Sequence, residues 1–327
     1  MRMQRREFVT LIGGAAAVWS VTARAQQRGP TRRIGAFILA GPGQQLYARA
    51  LREGLEALGW VDGKNIQVDY RWTEGDVDGL RSDAVSLVAL DPEVIVSGGT
   101  QATIVLKEAT ERIPIVFVHV ADPVWGGLVR SLARPEGNIT GFAAYESTIA
   151  GKWLELLKEM TPHVKHVLVL AGPNPTWRMH VQTMETAGPS FELQLTIAHV
   201  HDSADIKPAI NAFAGKVDSA ILVLPDNMLD ENVEEIIALA AQHLLPDMYT
   251  TDQSLQVGGL LRYSSDWADL YRRAASYVDR ILKGAKPGEL PIQQPIRFQL
   301  SINLKRARAL GLTVPPTLLA RADEVIE

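Results

Sequence analysis

Two short segments place glycine, hydroxyl and carboxylate groups where a small charged molecule could bind. In the first, Ser97 at the end of a β-branched run is followed by Gly98, Gly99, Thr100 and Gln101. Glycines let successive backbone N–H groups point outward at the start of a helix, where the helix dipole favours an anion. The segment predicts a carboxylate or phosphate site, and a glycine turn with Thr100 as a simple N-cap is the alternative.

The second segment follows the next β-branched run and contains His119, Asp122 and Pro123. A carboxylate just past the end of a strand can pair with an ammonium group of a ligand, and Pro123 would keep the loop rigid. Asp122 could instead cap the following turn. We interpret His119 as a hydrogen-bonded core histidine and not as a general base.

Further candidates come from loops at equivalent points of the chain. The loop that contains Gly41 begins like a dinucleotide-binding fingerprint but lacks the third glycine, so we expect it only to let a ligand approach the backbone. Asp226 and Asn227 could equally cap a helix, and Tyr263 could stack on a ligand. The candidates outside the first two segments are Gly41, Gln44, Asn174, Asp226, Asn227 and Tyr263.

The sequence gives little support for a catalytic serine, a metal site or cysteine chemistry. A nucleophilic Ser97 would need glycine two residues earlier, where the chain has Ile95. His199 and His201 lack a third metal ligand at a suitable spacing. The chain contains no cysteine, which excludes thiolate chemistry and disulfides. We therefore expect a binding protein without catalytic activity, metal or cofactor.

An alternating pattern of elements would position these loops. From residue 33 onward, short β-branched runs alternate with segments of helical period, which is typical of βαβ units and a parallel sheet. The pattern restarts near Gly151, so the chain has two similar halves. The predicted strands are 34–39, 66–70, 94–97, 115–118, 166–170, 192–199, 220–224, 260–263 and a final extended run at 296–302. The predicted helices of the second half are 153–160, 179–187, 205–214, 233–243 and 267–282.

The pattern predicts an α/β fold with two Rossmann-like lobes, whose parallel sheets are flanked by helices. The segment 138–142 is too short and apolar for a flexible tether, so we expect it to be a hinge strand, joined by C-terminal elements that cross back. The first lobe is predicted to contain 32–140 and about 264–292, and the second 141–263 and about 293–327. Ligands of such sheets bind beyond the carboxyl ends of the strands.

The first 25 residues have the order of an export signal. Arg5 and Arg6 precede an apolar run at 11–21, and Ala23 and Ala25 are the small residues that a signal peptidase requires. The run is shorter than the roughly 20 residues that span a bilayer. We expect a cleaved signal peptide over 1–25, of the twin-arginine type or an ordinary Sec leader. Without a cysteine to carry a lipid, the product should be soluble in the periplasm.

The net charge bears on the kind of partner, and the length bears on the number of lobes. Removal of residues 1–25 takes away four arginines and one glutamate, so the net charge changes from −4 to −7. An acidic surface disfavours nucleic acid as a partner. The remaining 302 residues exceed the usual size of a single core, which agrees with two lobes.

A series of short motifs spread over the whole chain resembles one known family. They are Arg5-Arg6-Glu7-Phe8, Gly54-Leu55, Leu58-Gly59-Trp60, Ile113-Pro114-Ile115-Val116, Asp122-Pro123-Val124, Ser131-Leu132-Ala133-Arg134-Pro135, Gly137-Asn138-Ile139-Thr140-Gly141, Lys152-Trp153-Leu154-Glu155-Leu156-Leu157, Ala274-Ala275-Ser276-Tyr277-Val278-Asp279 and Ala309-Leu310-Gly311-Leu312. The set is similar to the ABC transporter substrate-binding proteins related to tryptophan- and tyrosine-binding receptors.

The resemblance implies a periplasmic-binding-protein fold that closes on a small molecule, namely an amino acid, aromatic ones included, or a related carboxylate. It implies that the ligand carboxylate meets Gly99, Thr100 and Gln101, and that the amine meets Asp122, with Asp226 facing from the other lobe. It also implies a monomer that serves an ABC permease and ATPase at the inner membrane. The alternatives are a ligand sensor for a membrane kinase or chemoreceptor, and a secreted α/β hydrolase.

Overall fold

The computed structural model describes residues 31–39, 44–73, 77–146, 148–173, 177–251 and 254–327. The predicted signal peptide and the candidate residues Gly41 and Asn174 lie outside the described residues. Gln44 is described as the first residue of a helix, but its side chain is not. The described part of the chain forms two sheets with helices on both faces.

The first sheet contains β-branched runs from the first half of the chain, all paired in parallel. Across the sheet the order is β2 (Ile66–Thr73), β1 (Arg32–Leu39), β3 (Val94–Gly98), β4 (Ile115–Val120) and β5 (Ile139–Ala143). Its helices are α1 (Gln44–Ala57), α2 (Val77–Val88) and α3 (Thr100–Ala109). One face packs on α2 and α3, as the burial of Leu87 and Leu106 shows.

The other face of the first sheet is covered by α1 and by a helix from far later in the chain, α9 (Trp267–Leu282). The two helices approach so closely that a Cβ on Gly54 would lie 2.3 Å from the carbonyl oxygen of Arg272. Leu51 and Leu55 of α1 are buried together with Ala274 and Val278 of α9. The apolar stripe of α9 therefore completes the core of the first lobe.

The second sheet takes its strands from the second half of the chain. Across the sheet the order is β12 (Glu324–Ile326), β11 (Phe298–Asn303), β10 (Leu261–Ser265), β9 (Asp247–Tyr249), β8 (Ser219–Val223), β6 (His166–Ala171) and β7 (Gln194–His199). Only the β10–β11 pair is antiparallel among the described pairings. The helices are α4 (Ile149–Met160), α5 (Trp177–Ala187), α6 (Ile206–Phe213), α7 (Asn227–Glu231), α8 (Val233–Gln242), α10 (Leu304–Ala309) and α11 (Pro316–Leu319).

In the described residues the chain passes between the two sheets three times: after β5, after β10, and before β11. The three crossing segments lie side by side. The Ser265 hydroxyl donates to the carbonyl of Ala144 at 2.8 Å, and the Asp266 amide donates to the carbonyl of Arg297 at 3.1 Å. Short segments bonded in this way can flex together without separating the lobes.

The predicted α/β class with two lobes of mainly parallel sheets is confirmed. The segment predicted as a hinge strand forms β5 at the edge of the first sheet, and the crossing begins after it. The predicted lobe limits at 140 and 263 fall inside β5 and β10. In the described part of the chain, no helix is long and apolar enough to cross a membrane.

Candidate functional site

The predicted anion site lies where β3 runs into α3. Gly99 is the N-cap residue, with a positive φ of 87° that favours glycine, and its amide donates to the carbonyl of Val118 at 2.9 Å. The hydroxyl of Thr100 accepts from the amide of Ala121 at 3.3 Å. Gln101 is exposed on the first turn of the helix. The start of α3 is thereby tied to the loop after β4, which holds Asp122.

Gly98 has a different role from the one that its sequence context predicts. A Cβ at this position would lie 2.0 Å from the hydroxyl oxygen of Tyr271 in α9. The space left by the missing side chain is therefore filled by Tyr271 and is not available to a ligand. Any part of Gly98 in ligand binding is limited to its backbone.

Asp122 and Pro123 form the turn that follows β4. One carboxylate oxygen of Asp122 accepts from the amides of Val124 and Trp125, at 3.0 and 2.9 Å. This turn-capping role was the alternative that the sequence left open. It holds the half-buried carboxylate in one orientation beside the start of α3. Pro123 is buried, and Trp125 is 52% exposed.

In the second lobe, Asp226 follows β8 and is the N-cap of α7. Its carboxylate accepts from the amides of Met228 and Leu229 at 2.8 and 3.4 Å, and the residue is only 7% exposed. Asn227 is the exposed first residue of the same helix. Of the two residues that the sequence offered as helix caps, Asp226 is therefore the one that caps α7.

Tyr263 already stacks on a neighbouring ring of its own lobe. It lies within β10, and its ring stacks on Phe298 of β11 with centroids 5.5 Å apart and an interplanar angle of 15°. Its carbonyl accepts from the indole N–H of Trp153 at 2.9 Å. The half-buried ring covers the apolar core of the second lobe.

Ser97 is fully buried and its hydroxyl lies 2.9 Å from that of Thr103. A buried hydroxyl paired with another hydroxyl has no base to activate it, so the arrangement does not support a nucleophile. The rings of His199 and His201 lie edge to face, with their centroids 4.5 Å apart. Within the described ranges, no group of three histidine, aspartate or glutamate residues could hold a metal ion.

Sequence reasoning missed a row of aromatic rings that connects the two lobes, here named the hinge ring row. It passes from Tyr271 in α9 to Tyr47 in α1, then to Trp267, His119, Tyr145 on the first crossing segment, and finally Trp153 and His180 in the second lobe. Apart from Trp267 and Tyr271, which both lie in α9, the members come from separate elements, so spacing along the chain does not reveal the row.

The two histidines of the row are held neutral. Burial lowers the pKa of His119 to about 3 and that of His180 to about 4, and no neighbouring charge contributes to either shift. Among the described residues, His119 Nε2 and both ring nitrogens of His180 are buried without a hydrogen-bond partner. The prediction of a hydrogen-bonded core histidine at 119 is thus wrong for Nε2.

A family model and a named relative both match most of the chain. The family model described as "ABC transporter substrate binding protein" matches residues 35–326. A tyrosine-binding protein of Clostridioides difficile is 27% identical over 262 residues, which are 80% of this chain and 75% of the relative. This relative is named for a small-molecule ligand.

Two solved structures share the fold over most of the chain. An ABC domain from Streptococcus pneumoniae in complex with L-Trp is 27% identical, with a TM-score of 0.83 over 90% of this chain and 100% of that chain. A conserved domain protein from Vibrio cholerae is 31% identical, with a TM-score of 0.81 over 90% of this chain and 99% of that chain.

Proposed function

The chain belongs to the family of ABC transporter substrate-binding proteins, and from that premise we propose that it captures a small molecule between its lobes for an ABC importer. The single observation that carries the proposal is the arrangement of the crossing segments. Three of them, hydrogen-bonded side by side, join two sheets whose loops at the carboxyl ends of β3, β4 and β8 carry the candidate residues. Such an arrangement suits binding and release better than catalysis.

We propose an amino acid or a related carboxylate as the ligand, with aromatic amino acids as the first to test. The names of the tyrosine-binding relative and of the L-Trp complex support this choice. The ligand carboxylate would meet the start of α3 at Gly99, Thr100 and Gln101, where the Gly99 amide already donates to Val118. Its ammonium would meet Asp122, and Asp226 would face it from the second lobe.

Closure of the lobes would couple capture to transport. A ligand that touches both lobes stabilises the closed form relative to the open form by its difference in affinity for the two. The crossing segments allow the rotation, because a few residues between elements can absorb the change in backbone angles. A permease that recognises only the closed form would then accept only loaded protein.

The remaining parts of the proposal concern location and partners. The order of the first 25 residues supports export to the periplasm, followed by cleavage, as a soluble monomer. The partners would be a membrane permease and its ATPase, without nucleic acid. These parts rest on the sequence and on the family, and the ligand test below does not depend on them.

A thermal-shift screen of the purified mature chain tests the ligand assignment. At a concentration 100 times Kd, a bound ligand adds about 2.7 kcal/mol to the free energy of unfolding, which raises Tm by several degrees. We expect a rise with at least one of the twenty amino acids or common organic acids, and none with sugars or nucleosides. A screen in which amino acids and organic acids leave Tm unchanged would overturn the ligand assignment.

A further inference from the structure

β4 contains a β-bulge at His119. Val118 pairs with Phe142 and Val120 pairs with Ala143. β4 therefore advances by two residues where β5 advances by one. His119 has a φ of 62°, in the left-handed region that residues other than glycine seldom occupy. Bulges near strand ends commonly re-aim a side chain, and a strained backbone is a mark of functional positions.

The bulge changes the face on which the imidazole lies. Before it, Val116 and Val118 face the core shared with α1 and α9, whereas Phe117 faces α3. Uninterrupted alternation would place His119 on the α3 side with Phe117. Instead Val120 takes that side, and the imidazole lies against Trp267 of α9 with ring centroids 3.5 Å apart.

The pair presents two nitrogen atoms that the described residues do not satisfy. His119 Nε2 and Trp267 Nε1 are both buried and lack hydrogen-bond partners. Native proteins rarely leave such atoms without a partner, because each costs about 1–3 kcal/mol. A partner from outside the described residues, such as a bound ligand, is therefore expected.

The location of the pair fits a ligand. His119 is three residues before Asp122, at the carboxyl end of β4, and Trp267 begins α9 directly after the second crossing segment. Tyr47, in the first turn of α1 after β1, has its ring 6.0 Å from that of Trp267. These elements meet at the edge of the first sheet where the proposed site lies.

We propose that His119 and Trp267 bind a hydroxyl group of the ligand and so select ligands that carry one at this end. The inference rests on the proposed function. An indole N–H can only donate, so the ligand atom must accept. With its proton on Nδ1, neutral His119 can accept a hydrogen bond from the same hydroxyl at Nε2. An ammonium has no lone pair for Trp267, and a carboxylate has no proton to donate to His119 Nε2.

Calorimetry with matched ligands tests the inference. The probes are L-tyrosine with L-phenylalanine, and L-serine with L-alanine, each pair differing by one hydroxyl. For the pair that fits the cleft, we expect the hydroxyl ligand to bind at least about 100-fold more tightly, because its absence leaves both nitrogens buried and unsatisfied. Equal affinities within the pair would overturn the inference and leave the proposed function intact. No binding by any of the four would overturn the inference, whereas the amino-acid assignment falls only if the full thermal-shift screen also leaves Tm unchanged.

Variants separate a direct contact from a structural effect. Trp267→Phe keeps an aromatic ring and removes the N–H. It should therefore reduce the affinity for the ligand with the hydroxyl about tenfold and leave the affinity for the matched ligand without it unchanged. The control is Trp60→Phe, because the Trp60 indole donates to Asp279 at 2.8 Å and should affect neither ligand. An equal loss of affinity for both ligands in Trp267→Phe would contradict the inference.

If this variant does not fold, NMR of the wild type provides the test. The indole N–H resonance of Trp267 should move with L-tyrosine and stay in place with L-phenylalanine, and the reverse result would contradict the inference.

Discussion

The carboxylate of Asp226 occupies the space in which a side chain at Gly172 would begin. A Cβ on Gly172 would lie 2.2 Å from Asp226 Cγ and within 2.6 Å of both carboxylate oxygens. Gly172 follows β6 and Asp226 follows β8, and these strands are neighbours in the second sheet. The conformation of the N-cap of α7 thus depends on a glycine in another loop.

Gly172→Ala should displace Asp226 and remove the cap of α7. We expect a loss of about 1–2 kcal/mol in the free energy of unfolding, the usual cost of a lost N-cap, and weaker ligand binding. Denaturant unfolding and calorimetry measure both. The control is Gly151→Ala, where the nearest atom to a new Cβ is 3.8 Å away, so a helical alanine should be neutral or stabilising. Unchanged stability of Gly172→Ala would show that Asp226 is not held in this position.

Asp122→Ala should weaken binding more than it weakens the fold. The carboxylate caps only an exposed turn, so we expect a loss of at most about 1 kcal/mol in stability. If it also pairs with a ligand ammonium, its removal should reduce the affinity about 10- to 100-fold. Calorimetry with the ligand found in the screen decides, and unchanged affinity would remove Asp122 from the site. Asp122→Asn, which keeps the turn-capping oxygen, should retain stability while losing affinity.

Acid should destabilise the fold through the buried histidines. The pKa of His180 is lowered to about 4 in the folded protein, so the unfolded chain binds the proton more readily. The stabilisation is present above pH 6.5 and is lost as the pH falls from 6.5 towards 4. A shift of this size corresponds to about 3 kcal/mol. His180→Phe, which preserves an aromatic ring against Trp153 and Tyr145, should show a flatter decline of stability with acid. An identical decline in both proteins would contradict this prediction.

Asp247→Ala should strongly destabilise the second lobe. Asp247 is fully buried and accepts from the Tyr249 hydroxyl at 2.9 Å and from the Arg306 guanidinium at 3.3 Å. Its removal leaves the Arg306 charge buried without this partner, which typically costs about 3–5 kcal/mol. Urea unfolding followed by circular dichroism measures the loss. The comparison is Arg112→Ala, which removes an exposed ion pair with Asp91 and should cost less than about 1 kcal/mol.

Much of the fold could be predicted because its elements follow local rules. The limits of α9 match the predicted 267–282, since Asp266 caps its start and Gly284 ends its regular period. β9 was missed, because three residues that include a buried aspartate lack the pattern of a strand. The predicted end of β4 at 118 was two residues short, because the strand continues through the bulge at His119.

The site was less predictable for a physical reason. The sequence context of Gly98 predicts a glycine that admits a ligand, but the space beside it is filled by Tyr271 from a distant part of the chain. The pairing of His119 with Trp267 likewise joins residues that are far apart in the sequence. Contacts of this kind depend on tertiary packing, so spacing along the chain carries no sign of them.

The chain order of α9 has a consequence for synthesis. The first lobe begins near the N-terminus, yet the helix that covers one face of its sheet is completed only at Leu282. On the ribosome, α1 and the buried face of β1 and β3 must wait for α9 until most of the chain has been translated. A folded first lobe would therefore exist only in molecules whose synthesis is almost complete, and truncated products would expose an apolar sheet to proteases and chaperones.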